Sequence, residues 1–396
     1  MVGDVAGADV AGADVAGASE RVGLWLNGGR GSVATTAITG LLALRSGLVE
    51  PVGCVTELLD APLPPWQGFV VGGHDVVTTP LVKRAELLAR DGVLPPGLAA
   101  ELSDELAAVD AEILPGYQPG TYNGSQADAA RRLAEDIEGF RARHRLSRVV
   151  VVNVASTEPP VTVGPESLAA LEEALRVPGR AVLPPSSLVA YAAFRAGCAF
   201  ADFTPSTGVA LPALDELAVR RGVPYAGRDG KTGETLLRAA LAPMFVARAL
   251  RVRSWTGTNL LGGGDGATLA DPGHARSKSM SKARGLASLL GEDVTAPLHI
   301  DYVPDLGEHK TAWDHVSFEG FLGARMTLQT TWTGLDSSLA APLVLDLARL
   351  LAAAHAAGRS GVQEALAFFF KDPLGTDEHR LHEQARVLEG WAAGLH

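Results

Sequence analysis

The chain has 396 residues, 47% of them hydrophobic and 20% charged. So apolar a composition excludes a disordered protein and, at about 150 residues per domain, predicts two or three packed units. With 34 Lys and Arg against 45 Asp and Glu the formal charge is −11, which excludes nonspecific binding to nucleic acid or to an anionic membrane through net charge and turns the search to local positive charge.

Residues 4–18 repeat Asp-Val-Ala-Gly-Ala three times. No side chain there exceeds Val in size, so ordering entropy is not offset, and residues 1–20 read as a disordered extension. The tract lacks the basic start and the continuous apolar core of a secretion signal. No other segment supplies about 18 consecutive apolar residues, so no membrane span is expected. Cys54 and Cys198 lie in apolar runs and read as buried thiols, which suits a reducing cytoplasm.

Val22 to Leu26 is a short apolar run that ends in Asn27-Gly28-Gly29-Arg30-Gly31-Ser32 and passes into helix-compatible Ala34 to Ile38. The order is strand, glycine turn, helix. Glycines allow close backbone approach, Ser32 can cap, and a helix N-terminus presents free N–H groups to an anion such as a pyrophosphate. A tight structural turn fits the same residues. Val52 to Glu57 reads as a second apolar run ending in an acid, placed either to bind a ribose or to sit solvated at a strand end. Gly72-Gly73-His74-Asp75 reads as a loop. Leu81–Leu88 and Ala127–Arg143 read as helices. Val149 to Val154 is solidly apolar, as buried parallel strands are, and breaks into Ala155-Ser156-Thr157, at the end of the strand where open α/β sheets bind ligands or where a helix is capped. Strands alternating with helices predict a doubly wound, Rossmann-like parallel sheet.

From about Leu236 the texture changes. Arg251 to Trp255, Leu298 to Val303, His315 to Leu322 and Arg325 to Trp332 read as strands, several of them alternating polar and apolar as in an antiparallel sheet with one covered face. Pro342 to Ala357 returns to a long apolar helix, followed by another helix after Gly361. The predicted organisation is a Rossmann-like domain over 21–235 and 342–396, interrupted by an inserted α+β sheet domain over 236–341.

Lysine is scarce and sits in Gly- and Ser-rich contexts: Lys231 in Asp229-Gly230-Lys231-Thr232-Gly233, Lys278 and Lys282 in Ser277 to Lys282, Lys310 after Gly307-Glu308-His309, and Lys371 after three phenylalanines. Lys278 and Lys282 would share one helix face, where like charges repel unless an anion lies between them. A compact ammonium can bind phosphate, stabilise a developing alkoxide or enolate, or move a proton. Asp229, Asp265, Asp301, Asp314 and Asp336 accompany them; Asp265, in a glycine-rich turn, fits turn chemistry, a lysine partner or a cation ligand. No zinc-protease, Cys/His or nucleophile-elbow spacing occurs.

In order and spacing, these motifs together resemble the inositol-3-phosphate synthase family. The residues that carry the resemblance are Asn153 to Pro159, Phe203-Thr204-Pro205-Ser206, Asp229 to Thr235, Asn259-Leu260-Leu261-Gly262 with Asp265, the Ser-Lys-x-x-Ser-Lys run at 277–282, Gly320 to Gly323, Asp336 with Ala340-Ala341-Pro342-Leu343, and Phe368 to Pro373. The resemblance implies NAD-dependent, redox-neutral cyclisation of glucose 6-phosphate to inositol 3-phosphate: oxidation at C5, enolisation, aldol closure and reduction. It matches Lys278, Lys282, Lys310 and Lys371 to the family's active-site lysines and Asp229, Asp265 and Asp336 to its acids, with Asp265 the metal candidate for a divalent Mg, Mn or Zn ion. The implied cofactor contacts are Gly28, Gly29, Gly31, Ser32, Val33, Glu57, Ala155, Ser156, Thr157, Asp229 and Asn259. A homotetramer assembled through the inserted sheet, with Thr327 to Trp332 contributing a strand, follows from the same resemblance. Arg228, Asp202, Gly263 and Glu308-His309 depart from the family's usual residues. The alternatives are a related cyclase or dehydrogenase acting on another sugar phosphate, or a non-catalytic NAD-binding regulator.

Overall fold

The structure, a computed structural model, describes residues 20–159, 165–263, 286–291 and 293–396. The strands in chain order are β1 (Val22–Asn27), β2 (Phe69–Asp75), β3 (Ile113–Pro115), β4 (Arg148–Asn153), β5 (Ala199–Asp202), β6 (Pro224–Gly227), β7 (Arg251–Leu261), β8 (Leu298–Tyr302), β9 (His309–Glu319), β10 (Arg325–Leu335) and β11 (Gly361–Val362).

Seven of them form one sheet in the order β11-β6-β5-β4-β1-β2-β3, and every recorded pairing is parallel. Both faces are covered, which explains the unbroken valine run of β4. Val150 and Val152 enter a core with Leu24, Leu26 and the long helix Asp336–Ala356, while Val149 and Val151 enter a second core with Trp25, Phe140 and Phe194. Alternate side chains thus find apolar partners on opposite sides. Asp336–Ala356 is the one described helix long and apolar enough to cross a membrane; here it is mostly buried against the sheet. The helices Ser32–Arg45 and Asp336–Ala356 cover one face, and Gln126–His144 and Pro185–Arg195 cover the other. Gln126–His144 starts where the Ser125 hydroxyl accepts from the Asp128 N–H and stops at Arg145 in left-handed geometry, as capping rules require.

The strand order reverses between β1 and β4. There the chain runs outward in both directions, and a crevice opens at the carboxyl ends of the strands, the standard ligand position of open α/β sheets. Asn27, Asn153 and Asp202, in register, end β1, β4 and β5 beside it.

The other sheet has the order β10-β9-β7-β8, antiparallel except for β7 with β8. Helix Gly233–Ala247 covers one face through Ala242 and Phe245 against Val252, Trp255 and Val316. The opposite face carries Trp313 beside Thr258 and Thr331, and among the described residues no helix packs on it. The chain then re-enters the first sheet through Asp336–Ala356 and β11. The helix expected directly after Gly361 is instead β11 followed by a 3-10 turn, Glu364–Phe369; the next α-helix is Leu381–Ala393. Gly361 has a φ of 70° and pairs with Pro224, so that segment is held by the sheet edge rather than by helical bonds.

Candidate active site

The glycine turn lies at the switch point. Gly28 has a φ of 87°, and a Cβ there would stand 2.7 Å from the Ala155 Cα, so only glycine lets this turn rest on the end of β4. The Gly28 and Gly29 N–H groups both donate to the His74 carbonyl, at 2.9 and 3.2 Å. Helix Ser32–Arg45 begins at Gly31 with no acid in its first turn and, among the described residues, no capping side chain. Gly31, Ser32 and Val33 line the cavity described below, so its first turn is suited to an anion that arrives from outside the helix.

Two sequence expectations need correction here. Val52 to Glu57 forms no strand: Val55–Leu58 is a 3-10 turn, and the Glu57 carboxylate accepts from Arg349 Nη1 at 2.5 Å, outside the cavity lining. Arg349 also stacks over Trp66 and bonds Thr56, so Glu57 serves a buried anchor for the Asp336–Ala356 helix. The strand after the first helix is β2, formed by the segment expected to be a loop. Its last residue, Asp75, accepts from the Arg30 N–H at 2.6 Å and the Val77 N–H at 2.7 Å, fixing the glycine turn from the adjacent strand. The sequence signal for it is the apolar run Phe69-Val70-Val71, with Asp75 four residues further on. Its glycines concealed it: a Cβ at Gly72 would meet the Trp25 ring at 2.9 Å, and one at Gly73 would meet the Leu26 carbonyl at 2.4 Å. His74 is fully buried, taking the Trp25 indole N–H on Nδ1 at 3.0 Å and facing Asp136 with Nε2 at 3.1 Å.

Beneath the crevice runs a buried polar row. Asn27 donates to Asn153 at 2.8 Å, and Asn153 donates to Asp202 at 3.0 Å. Thr204 donates to the same Asp202 oxygen from both its N–H and its hydroxyl. The other oxygen, Oδ2, is buried and has no hydrogen-bond partner among the described residues. Burial pushes the Asp202 carboxyl up to about 7.

The cavity over this row, of about 430 Å³, is lined by the glycine turn, by Ala155, Ser156 and Thr157, and by two lysine–carboxylate pairs. Lys310 donates to Asp336 at 2.9 Å, joining the start of β9 to the first residue of the long helix. Lys371 donates to Asp229 at 3.0 Å. The Lys371 N–H also donates to the Asp229 carbonyl at 2.7 Å, and Lys231 N–H donates to the Phe369 carbonyl, so backbone and side chain hold this pair together. Both lysines are largely buried. Two ammonium groups with two carboxylates facing one crevice can receive a phosphorylated, polyhydroxylated substrate and stabilise oxygen anions formed on it.

The structure therefore brings together Gly28, Gly29, Gly31, Ser32, Val33, Ala155, Ser156, Thr157, Asp229, Lys310, Asp336 and Lys371. Gly28 and Gly29 are held beneath the turn whose later residues line the cavity. Asn259 falls elsewhere, buried on β7 and donating to Glu234 at 2.7 Å. Lys231 points away from the cavity: its ammonium donates to Gln384, and burial pushes it down to about 7. Lys278, Lys282 and Asp265 lie outside the described residues. Among the described residues no group of three or more His, Cys, Asp or Glu is placed to hold a metal ion.

A doubly wound sheet with a glycine turn at its switch point, and lysine–carboxylate pairs across the crevice, defines the class: an α/β dinucleotide-binding protein with a site for an anionic substrate. The comparisons with known proteins give the particular family. The family model described as myo-inositol-1-phosphate synthase matches residues 55–392. Inositol-3-phosphate synthase 1 of Bacteroides thetaiotaomicron is 34% identical over 398 residues, covering 92% of this chain and 92% of that protein. The human inositol-3-phosphate synthase 1 is 34% identical over 237 residues, 57% of this chain and 42% of its own longer length. In fold, the chain is similar to inositol-3-phosphate synthase from Caenorhabditis elegans, with a TM-score of 0.84 at 23% identity, covering 95% of this chain and 86% of that one. A myo-inositol-1-phosphate synthase-related protein from Thermotoga maritima gives a TM-score of 0.74 at 24% identity, covering 94% of this chain and 99% of that one. The chain belongs to the myo-inositol-1-phosphate synthase family.

Proposed function

We infer that the protein is an NAD-dependent inositol-3-phosphate synthase that converts D-glucose 6-phosphate to 1D-myo-inositol 3-phosphate. The observation that carries this reading is the convergence of the glycine turn with the Lys310–Asp336 and Lys371–Asp229 pairs on one crevice.

The residues present fit NAD. The close packing of Gly28 on Ala155 and the uncapped first turn at Gly31 leave backbone N–H groups for a pyrophosphate, and Ser32 adds a hydroxyl donor. When bound, NAD supplies a hydride acceptor at the sugar's C5 and later returns the hydride, so the conversion is redox-neutral. Lys310 and Lys371 then have two tasks: to bind the substrate phosphate and to hold positive charge beside the oxygens that become negative during enolisation and ring closure. Asp336 and Asp229 accept hydrogen bonds from these ammonium groups and so fix where they point. Lys278 is assigned the proton of the C5 hydroxyl, and Lys282 a share of the phosphate.

A divalent cation held by Asp265, assembly as a homotetramer through the second sheet, and a cytoplasmic location complete the reading. The decisive experiment incubates the purified chain with NAD and glucose 6-phosphate, in chelator and with added Mg²⁺, Mn²⁺ or Zn²⁺. Phosphate in a product resistant to mild alkaline degradation is the expected result, and its absence under every condition overturns the reading. Product only with added metal supports the cation.

A further inference from the structure

The first turn of the glycine-loop helix already has an anion beside it. Glu308, from the segment leading into β9, reaches across the crevice and accepts the Ser32 hydroxyl at 2.9 Å through Oε1. Its other oxygen lies 3.5 Å from the Ser337 hydroxyl, in the first turn of the Asp336–Ala356 helix. Arg84 completes the setting, donating from Nη2 to Ser32 Oγ at 3.3 Å and from Nε to the Arg30 carbonyl at 3.0 Å. Glu308, Ser32, Ser337 and Arg84 all line the same cavity. The helix supplies no acid of its own, so this carboxylate comes from a segment distant in sequence.

We propose that Glu308 is an internal anion that occupies the pyrophosphate seat beside Ser32 and must yield it when the dinucleotide binds. This rests on the NAD reading above and deepens it. A carboxylate and a pyrophosphate compete for the same hydroxyl and repel each other at close range, so Glu308 weakens cofactor affinity. Glu308 stands two residues before Lys310. Its release therefore occurs beside the ammonium that bonds Asp336, coupling cofactor arrival to the substrate half of the site.

The test is direct binding to the purified full chain without sugar phosphate. Wild type, Glu308→Gln and Glu308→Ala are titrated with NAD and, as a probe lacking pyrophosphate, with adenosine, each in chelator and in excess Mg²⁺; thermal melts establish that the variants fold. The expected result is an NAD Kd about tenfold lower in both variants, with adenosine binding unchanged and the difference present in both buffers. Unchanged or weaker NAD binding in the variants overturns the proposal. Weaker binding seen only in Mg²⁺ would make Glu308 a cation-mediated partner of the cofactor. A wild-type chain that binds no NAD in either buffer overturns the NAD reading itself, a result distinct from the other two.

Discussion

Asp202 shows how one buried side chain can set a pH response. Its carboxyl is held at about 7, far above its ordinary value, because burial penalises the charged form more than the Thr204 and Asn153 donors favour it. The folded state thus binds the proton more tightly than the unfolded state, and this contribution to stability is complete below the ordinary carboxyl pKa. It is lost as pH rises from about 4 through about 7. Replacing Asp202 with Asn removes that slope: denaturant melts should show wild type losing on the order of a few kcal/mol across this window relative to the variant. Parallel curves would refute the assignment. At the same scale, Lys310→Met and Lys371→Met should each lower kcat for cyclisation by at least about 100-fold, because each removes a fixed cation from oxygens that become negative. Turnover near wild type in either variant would show that this lysine is not catalytic.

At the scale of elements, the glycine turn illustrates which signals a sequence displays. Its glycines predict a tight turn, and a structural bend and a nucleotide seat share that signal; the strand order, which reverses between the parallel neighbours β1 and β4, puts the turn at the crevice. Gly28→Ala places a methyl group within 2.7 Å of the Ala155 Cα at a φ of 87°. It should raise the NAD Kd at least about tenfold and cost about 1–3 kcal/mol in stability, measured by titration and thermal melts. Val52 to Glu57 imitates a strand because local apolarity does not reveal a partner: Glu57 is claimed by Arg349, almost three hundred residues away in sequence. β2 is hidden in the sequence for the converse reason. Gly72 and Gly73 look like a loop locally but are required by the Trp25 ring and the Leu26 backbone of the adjoining strand.

At the scale of the whole molecule, the second sheet presents Trp313, Thr258 and Thr331 on the face opposite helix Gly233–Ala247, where Trp313 is 38% exposed among the described residues. If this face joins subunits, Trp313→Glu should dissociate the assembly in sedimentation experiments while leaving the melting temperature of the separated chain nearly unchanged, since the side chain fills no core. A tetramer that survives the substitution places the interface elsewhere. The sequence by itself determined the periodicities: unbroken apolar runs for strands covered on both faces, alternation for the sheet covered on one, and glycines where the backbone must turn. Tertiary structure alone decided which charges meet. Lys371 and Asp229 are 142 residues apart, and Lys310 and Asp336 are 26 apart. Local pattern reports how each segment buries its own surface, whereas the pairing of distant side chains follows from strand order and from the path by which the chain returns to the first sheet.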